Sequence, residues 1–191
     1  MAVTLQAVLR SLCRAARVRR VLFLAMALTW PGLSWTQTTA ADEVKVKAGF
    51  VFNFIKFTQW PPVRSAQGVP LYLCTPSDSA LPGALELLQG RPVAGRPIEV
   101  RRRVPAAEWR QCDVMFLGGG DAAALDGVLR QLGTAPVLTV GDLPGFVASG
   151  GMIGLRIESD RVRFDVNLVA AQRAGLSLNS QMLQLAGQVL R

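Results

Sequence analysis

The sequence predicts an α/β domain built on a mixed, mostly parallel sheet with helices on both faces and a late antiparallel hairpin. Three observations carry that expectation. Short apolar runs, VPLYLC at 69–74, DVMFL at 113–117 and PVLTV at 136–140, alternate with helical stretches. That is the pattern of parallel strands joined by crossing helices. The segment KAGFVFNFIKFTQWP at 47–61 carries two apolar stripes when laid on a helix, so it needs neighbours on both sides. After Gly141 the pattern changes: MIGLRI at 152–157 and VRFDV at 162–166 are separated by ESDR, which reads as a hairpin.

The first residues stand apart from this domain. Arg10, Arg14, Arg17, Arg19 and Arg20 precede an apolar core at 21–33, shorter than the roughly 20 residues of a membrane span. Small residues at 38–41 then offer a cleavage site, so 1–41 reads as a signal peptide and 42–191 as one domain. The expected product is an exported protein with no direct membrane insertion after cleavage. The whole chain carries 21 basic and 13 acidic residues. Five of the basic ones lie in the signal, which leaves sixteen against thirteen, a net charge of +3. That is ordinary for a small soluble domain.

Taken in order, Asp42 caps the first helix and Trp60-Pro61-Pro62 ends it. One of its stripes is Val44, Ala48, Val51, Phe52 and Ile55; the other is Val46, Phe50, Phe54 and Phe57. One stripe packs on the sheet. The other has two uses open to it, burial beneath the C-terminal helices, which is preferred, or a homodimer interface. A strand follows at 69–74, then a helical stretch at 80–88, a strand at 97–102 and a short helical turn at 106–111. The strand at 113–117 runs into Gly118-Gly119-Gly120 and a helix at 121–132, and Gly133 stops that helix before the strand at 136–140. After the hairpin the chain finishes in helix from Leu168, broken at Gly175, with a last capped segment running to about Leu190.

Few residues point to catalytic chemistry. The chain has no histidine, which removes Ser-His-Asp and Cys-His arrangements and most zinc sites. No cofactor or metal set is suggested by the acidic residues. Gly118-Gly119-Gly120 lacks the dinucleotide fingerprint and is followed by Asp121, so it reads as a tight turn. Arg101-Arg102-Arg103 is the one basic cluster, and no aromatic residues interleave it; a solvated strand edge fits better than a nucleic-acid face. Cys13 leaves with the signal, so Cys74 and Cys112 remain as an even pair. A bridge between them would stabilise the fold by about 4 kcal/mol on the chain-entropy estimate. Simple parallel neighbours would hold the two apart, so bridged and reduced states both stand on the residues alone. Asn167 can cap the final helix, and Asp165 beside it is either structural or faces a partner.

Laid side by side, these blocks resemble the YfiR-like family of periplasmic proteins. The resemblance rests on Lys47-Ala48 with Asn53, Phe57, Trp60 and Pro61, and on the strands at Cys74 and at Cys112-Asp113 leading to Gly118. It continues through Gly150-Gly151-Met152-Ile153, Phe164-Asp165-Val166-Asn167-Leu168 and the segment 171–186. It implies a non-enzymatic periplasmic repressor. Such a protein binds the periplasmic sensor domain of an inner-membrane GGDEF diguanylate cyclase, lowering cyclic di-GMP and biofilm formation. It also implies a Cys74–Cys112 disulfide. A further cysteine pair that some members carry around the Gly150 loop is replaced here by Ser149, Gly150 and Gly151. The partner surface is placed on the late strand and helix, at Phe164, Asp165, Asn167 and Arg173. A periplasmic small-molecule binding module not tied to a cyclase is the alternative.

Overall fold

The structure, a computed structural model, describes residues 40–64, 68–78 and 80–191. The signal peptide read at 1–41 therefore lies outside the described residues except for Ala40 and Ala41, which open the first helix. In chain order the elements are α1 (Ala40–Lys56), β1 (Thr58–Gln59), β2 (Leu71–Cys74), α2 (Ala80–Leu85), β3 (Pro92–Val93), β4 (Arg96–Arg101) and β5 (Val114–Leu117). They continue with α3 (Leu125–Leu132), β6 (Leu138–Gly141), β7 (Ile153–Glu158), β8 (Arg161–Asn167), α4 (Leu168–Arg173), β9 (Ser177–Leu178), α5 (Ser180–Gln184) and β10 (Val189–Leu190).

One sheet runs in the order β10-β8-β7-β6-β5-β2-β4-β3. Its centre, from β4 through β2, β5 and β6 to β7, is parallel, as the buried apolar strands require. The β7–β8 hairpin and the β3–β4 pair are antiparallel, whereas β10 lies parallel to β8. The expected mixed sheet with a late hairpin is present. Side chains on one face, among them Leu71, Leu73, Phe116, Val140, Leu155 and Phe164, form a core with α1, α2 and the C-terminal helices. The other face packs Met115, Leu117 and Cys74 against α3 and Phe146.

Helix α1 starts two residues ahead of the expected cap, placing Asp42 and Glu43 in its first turn and Lys56 in its last. Both placements suit the helix dipole. Its surplus of phenylalanine is explained by burial. Phe54 is 1% exposed, and its ring centroid lies 4.9 Å from that of Phe164. Phe50 sits 6.0 Å from each of them. Of the second stripe only Val46, at 45%, is exposed. Ala171 and Ala174 of the C-terminal segment belong to the same core, so first and last helices share this face.

Three short pairings depart from the expected elements. β1 joins β9 in a separate two-stranded sheet, tying the end of α1 to the last part of the chain. β3 doubles back on β4. The last segment is helical only over α5 and then becomes β10, not a helix to Leu190. Gly187 lies on that exit, beside the hairpin. A Cβ there would fall 2.6 Å from an Arg156 guanidinium nitrogen and 2.9 Å from Asp165 Oδ1. A larger residue would have to displace the ends of the Arg156 and Asp165 side chains, and Gly187 N–H donates to Phe164 O at 2.8 Å.

Cys74 and Cys112 are bonded, with S–S 1.99 Å and Cα–Cα 6.0 Å. The spacing problem is solved by the loop before Asp113. The short helical turn Ala106–Gln111 lies on the α3 side, where Trp109 joins the core, and delivers Cys112 back over β2. The bridge closes a separation of 38 residues. Reduction should therefore cost about 2–4 kcal/mol, read as a lower thermal midpoint in dithiothreitol, with Cys74→Ala/Cys112→Ala behaving like the reduced protein. A midpoint that ignores reductant would contradict the assignment. A disulfide of this kind belongs to an oxidising compartment.

Candidate functional site

Strand periodicity decides which late residues can meet a partner. Across the β7–β8 ladder, Leu155 faces Phe164 and Gly154 faces Asp165. Successive residues point to opposite faces, so Phe164 and Asp165 cannot share a surface. Phe164, 4% exposed, is turned into the core beneath α1. The expected partner contact at Phe164 is corrected accordingly: its ring is already stacked among Phe50 and Phe54.

Asp165, Asn167 and Arg173 remain, and all three border the opposite face. There α3 covers only part of the sheet, and the loop between β6 and β7 covers more. That loop is pinned by Phe146, whose ring sits where a Cβ on Gly151 would be, 2.2 Å from the nearest ring carbon. Gly151 N–H also donates to Phe146 O at 2.9 Å. Two cavities of about 480 Å3 each are left on this side. One is lined by Thr134, Thr139, Asn167, Val169 and Arg173. The other is lined by Asp142, Phe146, Arg156, Asp165 and Gln188. Leu190 of β10 borders both.

The polar groups here are mostly committed. Asn167 caps α4, its Oδ1 accepting from Ala170 N at 2.9 Å. Arg156 donates from Nε to Asp165 Oδ2 at 2.9 Å and from Nη1 to Glu158 Oε2 at 2.7 Å. These bonds offset the like charge of Arg163, which lies directly opposite Arg156 in the ladder. Lys47 reaches from α1 to Asp142 Oδ2 and to Glu43 Oε1, each at 2.9 Å. Burial alone would lower the Lys47 pKa, but its hydrogen bonds to Glu43 and Asp142 outweigh that and raise it. Asp142 Oδ1 and Asp165 Oδ1 have no hydrogen-bond donor among the described residues. Arg173, at the end of α4, is exposed and carries no ion pair among them. No group of three or more histidine, cysteine, aspartate or glutamate side chains among the described residues could hold a metal.

Sequence reasoning missed Arg156, Asp142 and Leu190. Arg156 was within reach of it: a two-residue turn at 159–160 fixes the register and places Arg156 diagonal to Asp165. Asp142 and Leu190 come from distant segments, which no local pattern could join to the site. The other motifs proved structural. Asp121 accepts from Gly118 N at 2.8 Å and closes the glycine turn. The arginine run is held by its own neighbours: Arg101 stacks on Tyr72 and pairs with Glu99, while Arg102 bridges Asp78 and Glu86.

Across residues 44–187 the chain matches the family model described as YfiR/HmsC-like. The chain belongs to the YfiR/HmsC-like family. Among solved structures, it is similar to a conserved domain protein from Vibrio cholerae O1 biovar El Tor, at 11% identity and a TM-score of 0.53. That match covers 76% of this chain and 60% of the other, so this chain spans about three fifths of that protein, and the likeness is one of fold. A second match is the ABC domain in complex with L-Trp from Streptococcus pneumonia, at 14% identity and a TM-score of 0.49. It covers 77% of this chain and 62% of that one. In this YfiR/HmsC-like chain the residues expected at the partner surface thus fall in two groups, one buried in the core and one bordering the face opposite α1.

Proposed function

We propose that this YfiR/HmsC-like protein is a periplasmic regulator, without catalytic activity, that represses an inner-membrane diguanylate cyclase by binding its periplasmic sensor domain. Repression lowers cyclic di-GMP and biofilm formation. The observation that supports this reading best is the shared placement of Asp165, Asn167 and Arg173 around the two cavities on one face. The sensor domain docks there, with Arg173 at the rim and Leu190 at the centre. Binding must favour the inactive sensor conformation, and a hundredfold bias corresponds to about 2.7 kcal/mol.

Arg173→Glu tests the docking face more cleanly than charge reversal at Asp165, because Asp165 also holds Arg156. The variant should fold normally and bind the purified sensor domain about tenfold more weakly in a titration. Unchanged affinity would remove Arg173 from the interface. A second reading, a small-molecule binding module, draws on the cavity volumes of about 480 Å3, which fall within the range of ligand pockets. A metabolite screen by thermal shift separates the two readings: stabilisation by a small molecule, with no binding of the sensor domain, would favour the second.

A further inference from the structure

The β7–β8 hairpin reaches beyond the rest of the sheet. β6 pairs with β7 only at Ile153 and Gly154, and β10 pairs with β8 only at Val166 and Asn167. The last backbone contact on the outer edge of β8 is Gly187 N–H donating to Phe164 O. From Arg161 to Arg163 that edge has no strand beside it among the described residues.

The register identifies which backbone groups are free. Ser159 and Asp160 have φ of 49° and 58°, the left-handed pair of a two-residue type I′ turn. Glu158 and Arg161 close that turn, so they exchange hydrogen bonds and every second pair does likewise. Val162, Phe164 and Val166 therefore direct N–H and C=O away from β7. Phe164 O and Val166 N confirm the phase, since both bond to the 187–188 segment. Val162 N–H and C=O point outward with no such neighbour among the described residues.

Two further features say what would fit there. On one side of the hairpin, Val46, Phe50, Ile157 and Val162 line a groove of about 410 Å3, to which Glu43, Asp160 and Arg161 also contribute. Ile157 is 46% exposed. Flanking Val162, Arg161 and Arg163 are exposed and have no ion pair among the described residues, whereas Arg156 is taken by Glu158 and Asp165.

We infer that the outer edge of β8 is a docking site for an extended segment of a partner protein that alternates acidic and apolar residues. The segment adds a strand beside Arg161–Arg163 and exchanges hydrogen bonds with Val162. Its apolar side chain opposite Val162 enters the groove against Val46 and Ile157. Its acidic neighbours fall opposite Arg161 and Arg163, where opposite charges pair favourably across strands. A second copy of this chain is disfavoured, because Arg-Val-Arg laid antiparallel on itself sets arginine against arginine. This site is separate from the face assigned to the sensor domain, and its test involves no cyclase.

The probes are two labelled peptides of about six residues, one alternating glutamate with valine and one alternating lysine with valine, titrated into the protein by fluorescence anisotropy. The glutamate peptide should bind about tenfold more tightly than the lysine peptide. Arg161→Glu/Arg163→Glu should reverse that order, and Val162→Pro, which removes the outward N–H, should abolish binding of the glutamate peptide. Failure of both peptides to bind, equal binding of the two, or a preference unchanged in the double variant would overturn the assignment. The charge reversal lies on exposed positions and keeps the test decisive if Val162→Pro fails to fold.

Discussion

Arg96→Met is expected to lower the unfolding free energy by about 3–5 kcal/mol. Arg96 is a buried clamp at the amino-terminal edge of the sheet. Its Nε donates to Val69 O at 2.9 Å, Nη1 to Arg64 O at 2.9 Å and Nη2 to Pro70 O at 2.8 Å. Nη2 also meets Asp113 Oδ2 at 2.8 Å, and that oxygen accepts from Tyr72 N at 2.9 Å. Asp113 is 2% exposed. Removing the guanidinium would strand the buried Asp113 carboxylate, next to Cys112, and leave the carbonyls of Arg64, Val69 and Pro70 without this donor. The loss comes mainly from the unpaired charge, so Arg96→Met/Asp113→Asn should recover part of it, as a double-mutant cycle in urea would measure. A single-variant loss below about 1 kcal/mol would mean that water reaches Asp113.

Phe54→Asp should yield no soluble folded protein. Truncating a buried phenylalanine to alanine costs about 3–5 kcal/mol, and an unpaired carboxylate in the same place adds a desolvation cost. Those losses together rival the whole stability of a domain of this size. Phe54 carries this weight because it fills the space between α1 and Phe164. Val46→Asp, on the exposed end of the same stripe, is the matched control and should stay within about 0.5 kcal/mol of wild type. A folded, soluble Phe54→Asp protein would show that the ring is not part of the core.

These two sites mark what was readable from the residues alone. The double stripe of α1 was plain in the spacing of Phe50, Phe54 and Phe57, and burial followed once a sheet was inferred from the apolar runs. The central strands were equally plain, since strands buried on both faces read as near-continuous apolar runs. The clamp at Arg96 was not. It joins residues from three separate segments, and an arginine ahead of a strand looks like any surface charge. The two-residue strands β1, β3, β9 and β10 are too short to leave a period, and they exist through partners distant in sequence. At the candidate site, the expected partner surface joined Phe164 to Asp165, although period-two alternation alone sets them on opposite faces. The two cavities depend on the loop held by Phe146 and on the exit at Gly187, which only packing reveals.

The proposed repression of a diguanylate cyclase is tested most directly by cellular cyclic di-GMP with and without the gene. Deletion should raise cyclic di-GMP, and the wild-type gene supplied in trans should return it to the starting level. A level that stays unchanged on deletion across several growth conditions would contradict the account.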